Sequence, residues 1–260
     1  MTARRTLVAV AVFAVVVLGG CVAVSPPADD PDPETLFEAG FVHGDDLEAV
    51  SGEVTTEVID GDRTISETVR VVERPYVDYR ETVLETDDPY RQAGDVYVSN
   101  ASVSWWYSPD SQWATYYEPD DSYENEAVRS DRADRAAELR EWYDLDYQGT
   151  ETIADRETYV LEVEARDEAV EEGLSVLVGD TEFVYALETV DREDDLDVLE
   201  RIVWIDAEYE YPIKERLVYE GPDGDRYEMT ERFESVSFEE DVDDETFAFE
   251  PPENVTVESS

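Results

Sequence analysis

The alternation of apolar and polar residues constrains the fold of this chain more than any other feature of its sequence. From Ser51 onward the hydrophobic period is two, which is the period of a half-buried β-strand. Asp60-Gly61-Asp62 is a turn signal between two such stretches, so Val54 to Val71 is predicted to form a hairpin. Further strands are predicted at Tyr76 to Leu84, Gln92 to Val98, Ser102 to Tyr107, Gln112 to Tyr117, Gly149 to Ile153, Glu157 to Ala165, Val198 to Ile205, Lys214 to Tyr219 and Arg226 to Phe238, with a hairpin at Leu174 to Val178 and Phe183 to Leu187.

Two stretches carry a helical pattern instead. A short helix is predicted to begin at Glu34. Ala136 and Leu139 belong to a row of residues at helical spacing, which predicts a longer helix over Asp131 to Tyr143 with Ser130 as its N-terminal cap. The chain is therefore predicted to be mainly β, with one or two helices that dock on the sheet.

Leu18-Gly19-Gly20-Cys21 holds the only cysteine and closes an apolar run that begins at Leu7. The run is shorter than the about 20 residues that a membrane-spanning helix needs. Arg4 and Arg5 precede it, as in the positive region of a signal peptide, and small residues precede the cysteine. This is the pattern of a lipobox, which predicts cleavage before Cys21 and attachment of lipid to its sulfur.

The lipobox divides the chain into three segments. Residues 1–20 are predicted to be a lipoprotein signal peptide, residues 21–33 a Pro- and Asp-rich tether, and residues 34–260 a single domain. Lipid on Cys21 would anchor the protein to the extracytoplasmic face of the cell membrane. Arg4-Arg5 also resembles a twin-arginine export signal, which would imply folding before translocation, and the general secretory route stays open.

The net charge of −50 is extreme for a chain of 260 residues. Such a charge favours disorder in a dilute medium, whereas 16 Tyr, 8 Phe and 5 Trp supply a core. Both observations fit a protein that folds in concentrated salt, where the Debye length falls to about 3 Å at 1 M. Lys214 is the one lysine among 19 basic residues, and this acidic, lysine-poor composition resembles proteins of extreme halophiles. Nucleic acid is not expected as a partner, because its phosphates repel this surface.

Three blocks of the sequence resemble LolA-like lipoprotein-sorting and carrier proteins. Trp105-Trp106-Tyr107-Ser108-Pro109 resembles the Trp-x-Tyr-x-Pro hairpin of that family. Trp204-Ile205-Asp206 and Pro212-Ile213-Lys214 resemble its Trp-x-Asp and Pro-x-Lys hairpin, and Asp244 to Pro252 resembles its closing segment. The resemblance covers roughly Asp45 to Val257.

The resemblance implies an α+β, mainly β fold. Its core is a strongly curved, half-open antiparallel β-sheet, an unclosed barrel, with one or two helices on the concave face. Carriers of the family hold acyl chains in the apolar cavity so formed, which makes Trp105, Tyr107 and Trp204 candidate lining residues, with ordinary core packing as the alternative. The lipobox and an apparent insertion near 167–197 depart from the soluble carriers.

Two functions are compatible with this resemblance. The first is a membrane-anchored extracytoplasmic lipoprotein that binds a hydrophobic ligand, either a lipid or a lipoprotein acyl chain, in the apolar cavity. The second is an envelope protein-interaction or sensing module with a filled cavity and no ligand. The second function predicts an exposed aromatic surface around Trp106, Trp113, Tyr116 and Tyr117.

No catalytic site and no cofactor are predicted. Gly-x-Ser-x-Gly, His-Glu-x-x-His and phosphate-cradling glycine motifs are all missing from the sequence. His43 is the only histidine, cannot supply a metal cluster alone, and is predicted to be a loop residue without a role. No resident metal is assigned, and Ca²⁺ at Asp241 to Asp244 stays open. Asn100 and Asn254 begin two possible N-glycosylation sequons.

Overall fold

The computed structural model describes residues 30–44, 46–141, 143–166, 197–220, 224–238 and 242–259. Within these ranges helix α1 is Pro33–Ala39, helix α2 is Asn125–Arg140, and a short 3₁₀ helix is Asp244–Phe247. The strands, in chain order, are β1 Val50–Asp60, β2 Arg63–Arg74, β3 Asp78–Thr86, β4 Val96–Ser99, β5 Ser104–Ser108, β6 Trp113–Tyr117, β7 Tyr143–Ile153, β8 Arg156–Ala165, β9 Asp197–Asp206, β10 Pro212–Glu220, β11 Arg226–Phe238 and β12 Thr256–Ser259.

Some predicted features lie outside the described residues. These are the signal peptide with Arg4 and Arg5, the lipidation site Cys21, and the predicted hairpin in the apparent insertion. The described helices are too short or too polar for any of them to cross a membrane. The described residues from Pro31 onward form one compact unit.

The described strands form one sheet of 12 strands, in the order β12-β6-β5-β4-β3-β2-β1-β11-β10-β9-β8-β7. Neighbouring strands run antiparallel, except that β12 runs parallel to β6. The sheet ends at β12 on one side and at β7 on the other, so it does not close into a barrel. The predicted mainly β fold with a curved, half-open sheet and two helices is confirmed.

The hairpin of β1 and β2 forms where the turn signal predicts it. Asp60 pairs with Arg63 across the turn, and Gly61 has a φ of 56°. A glycine adopts this left-handed conformation without the clash that a Cβ atom would cause. The predicted hairpin is therefore confirmed, and its two strands extend beyond the predicted bounds.

The centre of the sheet is a pairing between strands that are far apart in sequence. β1 pairs with β11, with Val50 opposite Phe238. At Gly52 the two strands approach so closely that a Cβ atom would overlap the carbonyl oxygen of Ser235 and lie 2.8 Å from Cδ1 of Phe233. A register shift follows directly, between Glu53 and Val54.

Both helices pack on one face of the sheet, which we call the inner face. Buried side chains of α1, α2 and β7 to β9 form a first core cluster that includes Phe37, Leu139, Leu161, Val203 and Ile205. Residues paired across neighbouring strands share a face, so the pairing register shows whether each other position of the sheet lies on the inner or the outer face. A second core cluster covers the inner face of the remaining central strands and includes Val54, Val71, Val83, Phe233 and Phe238.

Helix α2 differs from its prediction at both ends. It begins at Asn125, so Ser130 lies inside the helix and is not its cap. The Oδ1 atom of Asn125 accepts the backbone N–H of Tyr76 at 3.0 Å, a tertiary contact that sequence spacing does not reveal. The helix ends at Arg140, because Tyr143 already pairs with β8 and its ring lies 6.0 Å from that of Phe37.

Candidate functional site

Three large aromatic side chains are exposed side by side at one end of the sheet. Trp106 on β5 is 38% exposed, and Trp113 and Tyr117 on β6 are 36% and 44% exposed. In the pairing of these strands, Trp106 lies opposite Thr115, which stands midway between Trp113 and Tyr117 on β6. All three rings therefore lie on the same face, and we call these three residues the aromatic patch.

The aromatic patch belongs to the inner face. Trp106 pairs with Tyr97, Tyr97 with Glu81, and Glu81 with Val71, a member of the second core cluster. The helices pack near the opposite end of this face, against β7 and β8. The patch on β5 and β6 lies away from these helix contacts.

Neighbouring side chains hold the patch in place. The ring of Tyr97 lies 4.9 Å from that of Trp106 and 5.9 Å from that of Tyr79, which is buried. On the other side, the hydroxyl of Thr115 donates to the backbone carbonyl of Glu258 at 3.2 Å and ties β6 to β12. Aromatic pairs at such distances stabilise one another by about 0.5–1.5 kcal/mol beyond their burial.

Trp105 and Tyr107, predicted to line a cavity, lie on the opposite, outer face of β5. The ring of Phe249 joins them, at 5.6 Å from Trp105 and 5.4 Å from Tyr107. Tyr116, predicted as part of an exposed aromatic surface, also lies on the outer face, 5.0 Å from Trp105. These side chains do not face the helices, and a ligand-binding role for them stays a prediction.

Trp204, the third predicted lining residue, is buried on the outer face of β9 and far from β5 in the sheet. Its indole N–H donates to Oε2 of Glu151 at 2.8 Å, and Nζ of Lys214 lies 3.7 Å from its ring centre. Burial lowers the pKa of Lys214, and the carboxylate of Glu151 opposes that shift. The sole lysine is therefore in contact with the predicted Trp-x-Asp motif.

His43 lies in a loop, as predicted, but it is a core residue. It is 5% exposed, and its ring lies 4.7 Å from that of Tyr211 and 5.7 Å from that of Tyr76. Burial, with the positive charge of Arg132 as the second cause, lowers the pKa of His43 to about 3. The imidazole is therefore neutral at neutral pH, and within the described part of the chain its Nδ1 has no hydrogen-bond partner.

A pocket of about 200 Å³ lies beside His43. Its other lining residues are Gly44, Leu47, Pro75, Tyr76 and Arg129. Sites for drug-sized ligands are larger, with volumes of about 300–1,000 Å³, and mostly apolar. An acyl chain is therefore a poor fit for this pocket.

The buried carboxylates of the inner face have structural partners. The hydroxyl of Tyr211 donates to Glu73 at 2.7 Å, and that of Tyr79 donates to Glu81 at 3.1 Å. Arg201 donates to Glu215. Among the residues that the structure describes, no group of three His, Cys, Asp or Glu side chains is placed to hold a metal ion.

The two candidate glycosylation sites differ in accessibility. The Nδ2 atom of Asn100, to which a glycan would be attached, donates to the carbonyl of Phe247 at 2.9 Å. Its Oδ1 accepts the backbone N–H groups of Ser102 and Val103. Asn254 is exposed, in a turn before β12.

No protein-family model and no curated protein matches the chain. Similar solved structures include the MucA/MucB complex of Pseudomonas aeruginosa, at 13% identity over 83% of this chain and 58% of that chain, with a TM-score of 0.41. A LolA superfamily protein from Nitrosomonas europaea is similar at 12% identity over 84% and 97%, with a TM-score of 0.33. The lipoprotein LppX of Mycobacterium tuberculosis is similar at 13% identity over 82% and 99%, with a TM-score of 0.37.

These scores are all below 0.5. The LolA superfamily is the family that the sequence motifs resemble.

Proposed function

We propose that this protein is an extracytoplasmic interaction module, held at the cell membrane by lipid on Cys21, which binds a partner protein of the cell envelope through the aromatic patch. The observation that carries the proposal is the joint exposure of Trp106, Trp113 and Tyr117 on a face that is otherwise a core. Trp and Tyr are the residues most often found at the energetic centre of protein interfaces. Exposed apolar surface of this kind marks binding sites in soluble domains.

The competing function is binding of a lipid or a lipoprotein acyl chain in an apolar cavity. It has less support, because the inner face, where the cavity was predicted, is occupied from β7 to β3 by the buried side chains of the two core clusters. The pocket beside His43 is small and is lined by Arg129 and Tyr76 as well as by apolar groups. No catalytic role is proposed for any residue.

The test is site-directed photo-crosslinking of the full-length protein in its native membrane at high salt. A photoreactive phenylalanine analogue replaces Trp106 in one variant and Tyr90, which is 92% exposed and lies outside the patch, in the control. We expect one defined polypeptide to be crosslinked at position 106 and not at position 90. Lipid crosslinked at position 106, with no polypeptide, would favour the competing function instead.

A further inference from the structure

We infer that the aromatic patch receives a positively charged side chain, an arginine or lysine of the partner. This inference rests on the proposed function, since it names the chemistry of the group that the patch binds. It starts from the residues that surround Trp106 on the inner face.

A row of paired residues crosses the end of the sheet through the patch. Tyr97 on β4, Trp106 on β5, Thr115 on β6 and Glu258 on β12 are successive partners in the register. Paired residues share a face, so the exposed side chain of Glu258 lies on the same face as the aromatic rings. The row places a carboxylate beside a group of exposed indole and phenol rings.

This combination favours a cation. The face of a Trp or Tyr ring attracts an ammonium or guanidinium group that lies within about 6 Å of its centre. A guanidinium group also stacks on aromatic faces while it donates to a carboxylate, and an arginine is therefore the best match. The carboxylate of Glu258 adds a short-range preference for a positive group over a negative one.

Elsewhere in the chain, cationic side chains lie over the faces of aromatic rings. Lys214 lies over the ring of Trp204, and the guanidinium of Arg132 lies 5.2 Å from the ring centre of Tyr76. Within the described ranges no arginine or lysine of the chain itself lies over Trp106, Trp113 or Tyr117. A partner is therefore the source that we assign to a cation over these rings.

The test is a titration of the full-length protein, labelled with fluorotryptophan, followed by ¹⁹F NMR in concentrated KCl. The probes are a short peptide whose only charge is one arginine and the same peptide with citrulline, which keeps the shape of arginine and removes its charge. We expect the arginine peptide to shift the resonances of Trp106 and Trp113, but not those of the buried Trp204. The citrulline peptide should bind about two- to fivefold more weakly, since this is the change in Kd that an exposed cation–π contact produces.

Two charge variants separate the patch from the acidic surface as a whole. Glu258→Gln should weaken binding of the arginine peptide about 1.5- to fivefold, the effect of losing an exposed ion pair, and leave the citrulline peptide unchanged. Glu253→Gln removes the same charge from an exposed position in the preceding turn and should change neither. Equal affinities for the two peptides, or equal effects of the two variants, would overturn the inference.

The outcomes also separate this inference from the proposed function. A polypeptide crosslinked at position 106, together with equal binding of the arginine and citrulline peptides, would leave the interaction module in place and remove the cationic partner group. If neither peptide shifts Trp106, the cationic group is likewise excluded, and the crosslinking result alone decides the proposed function.

Discussion

Nε of Arg201 donates a hydrogen bond of 2.6 Å to Oε1 of Glu215, and the two side chains are only 3% and 1% exposed. The pair joins β9 to β10 within the inner face. Within the described residues Nη2 of Arg201 has no hydrogen-bond partner. A buried charge of this kind is stable only while its counter-charge is present, because the protein interior does not solvate the charge as water would.

We predict that Glu215→Gln lowers the free energy of unfolding by about 3–5 kcal/mol, because it leaves the guanidinium of Arg201 buried without a counter-charge. The double variant Arg201→Met with Glu215→Leu should recover most of that loss, since an apolar pair has no desolvation cost. Denaturant unfolding at high salt measures both. Glu200→Gln, which removes one partner of the more exposed pair with Arg216, is the control and should cost less than about 1 kcal/mol.

The buried imidazole of His43 predicts a pH dependence of stability. Its pKa is lowered to about 3 in the folded protein, whereas that of a free histidine is about 6.5. Below pH 6.5 the unfolded chain therefore binds a proton that the folded chain does not, so stability is lost as the pH falls from about 6.5 towards about 3. Between about pH 7 and pH 5 the wild type should lose about 2 kcal/mol more than His43→Phe, in which no proton is taken up.

Urea unfolding of the wild type and of His43→Phe across this pH range is the measurement. Phenylalanine keeps a ring between Tyr76 and Tyr211 and removes the titration, and the loss of the imidazole's contacts with the backbone of Ala39 and Glu210 acts alike at every pH. Other titrating groups contribute equally to both proteins and cancel in the difference. Parallel stability curves for the two proteins would show that His43 is not excluded from protonation in the fold.

Gly52 is predicted to be intolerant of any side chain. In Gly52→Ala the new Cβ would overlap the carbonyl oxygen of Ser235, so β1 and β11 must separate locally, at a cost of about 1–3 kcal/mol. Gly61→Ala is the matched control, because its Cβ meets no atom within 4 Å and only its positive φ is unfavourable, at about 1 kcal/mol. Thermal unfolding of the two variants compares them, and a smaller effect at Gly52 than at Gly61 would contradict the close approach.

The strands were predictable because their signals are local. Alternation and the turn at Asp60 to Asp62 identify the β1–β2 hairpin without reference to any other part of the chain. The pairing of β1 with β11 and the parallel edge strand β12 were not predictable, since neither depends on neighbouring residues. The sequence also gave no signal for the early start of α2 at Asn125, whose contact lies in the β2–β3 turn.

The candidate site was only partly predictable for a related reason. Alternation shows that Trp105 and Trp106 lie on opposite faces, but it does not show which face carries the helices. Both faces of β5 are aromatic, so the inner position of Trp106 follows only from its register with Tyr97 and Glu81. The burial of His43 depends on Tyr76 and Tyr211, two rings that are distant in sequence.

Glycosylation, where it occurs, should be confined to Asn254. The amide nitrogen of Asn100 is held by the carbonyl of Phe247, and Asn100→Ala should cost about 1 kcal/mol because it removes hydrogen bonds to partly exposed backbone groups. Mass spectrometry of peptides from the native protein measures the occupancy of each site. A glycan found on Asn100 would show that the hydrogen bond to Phe247 does not form in the native protein.

The lipid anchor proposed at Cys21 predicts where a variant without it is found. Cys21→Ser removes the only thiol of the chain, so no lipid can be attached and the protein should appear in the culture medium. Fractionation followed by immunoblotting measures the distribution, with the wild type as the cell-associated control. Retention of Cys21→Ser on the cells, to the same extent as the wild type, would remove the anchor from the proposed function.

The pairing of β1 with β11 affects when the sheet can form during synthesis. Val50 on β1 pairs with Phe238 on β11, so strands β1 to β6 cannot join strands β7 to β11 until nearly the whole chain has left the ribosome. Contacts of such long range slow folding and leave strand edges open to aggregation in the meantime. For a nascent chain of this topology, acquiring its native pairing before translocation is the safer order of events, and this is the order that the twin-arginine signal predicted at Arg4-Arg5 would impose.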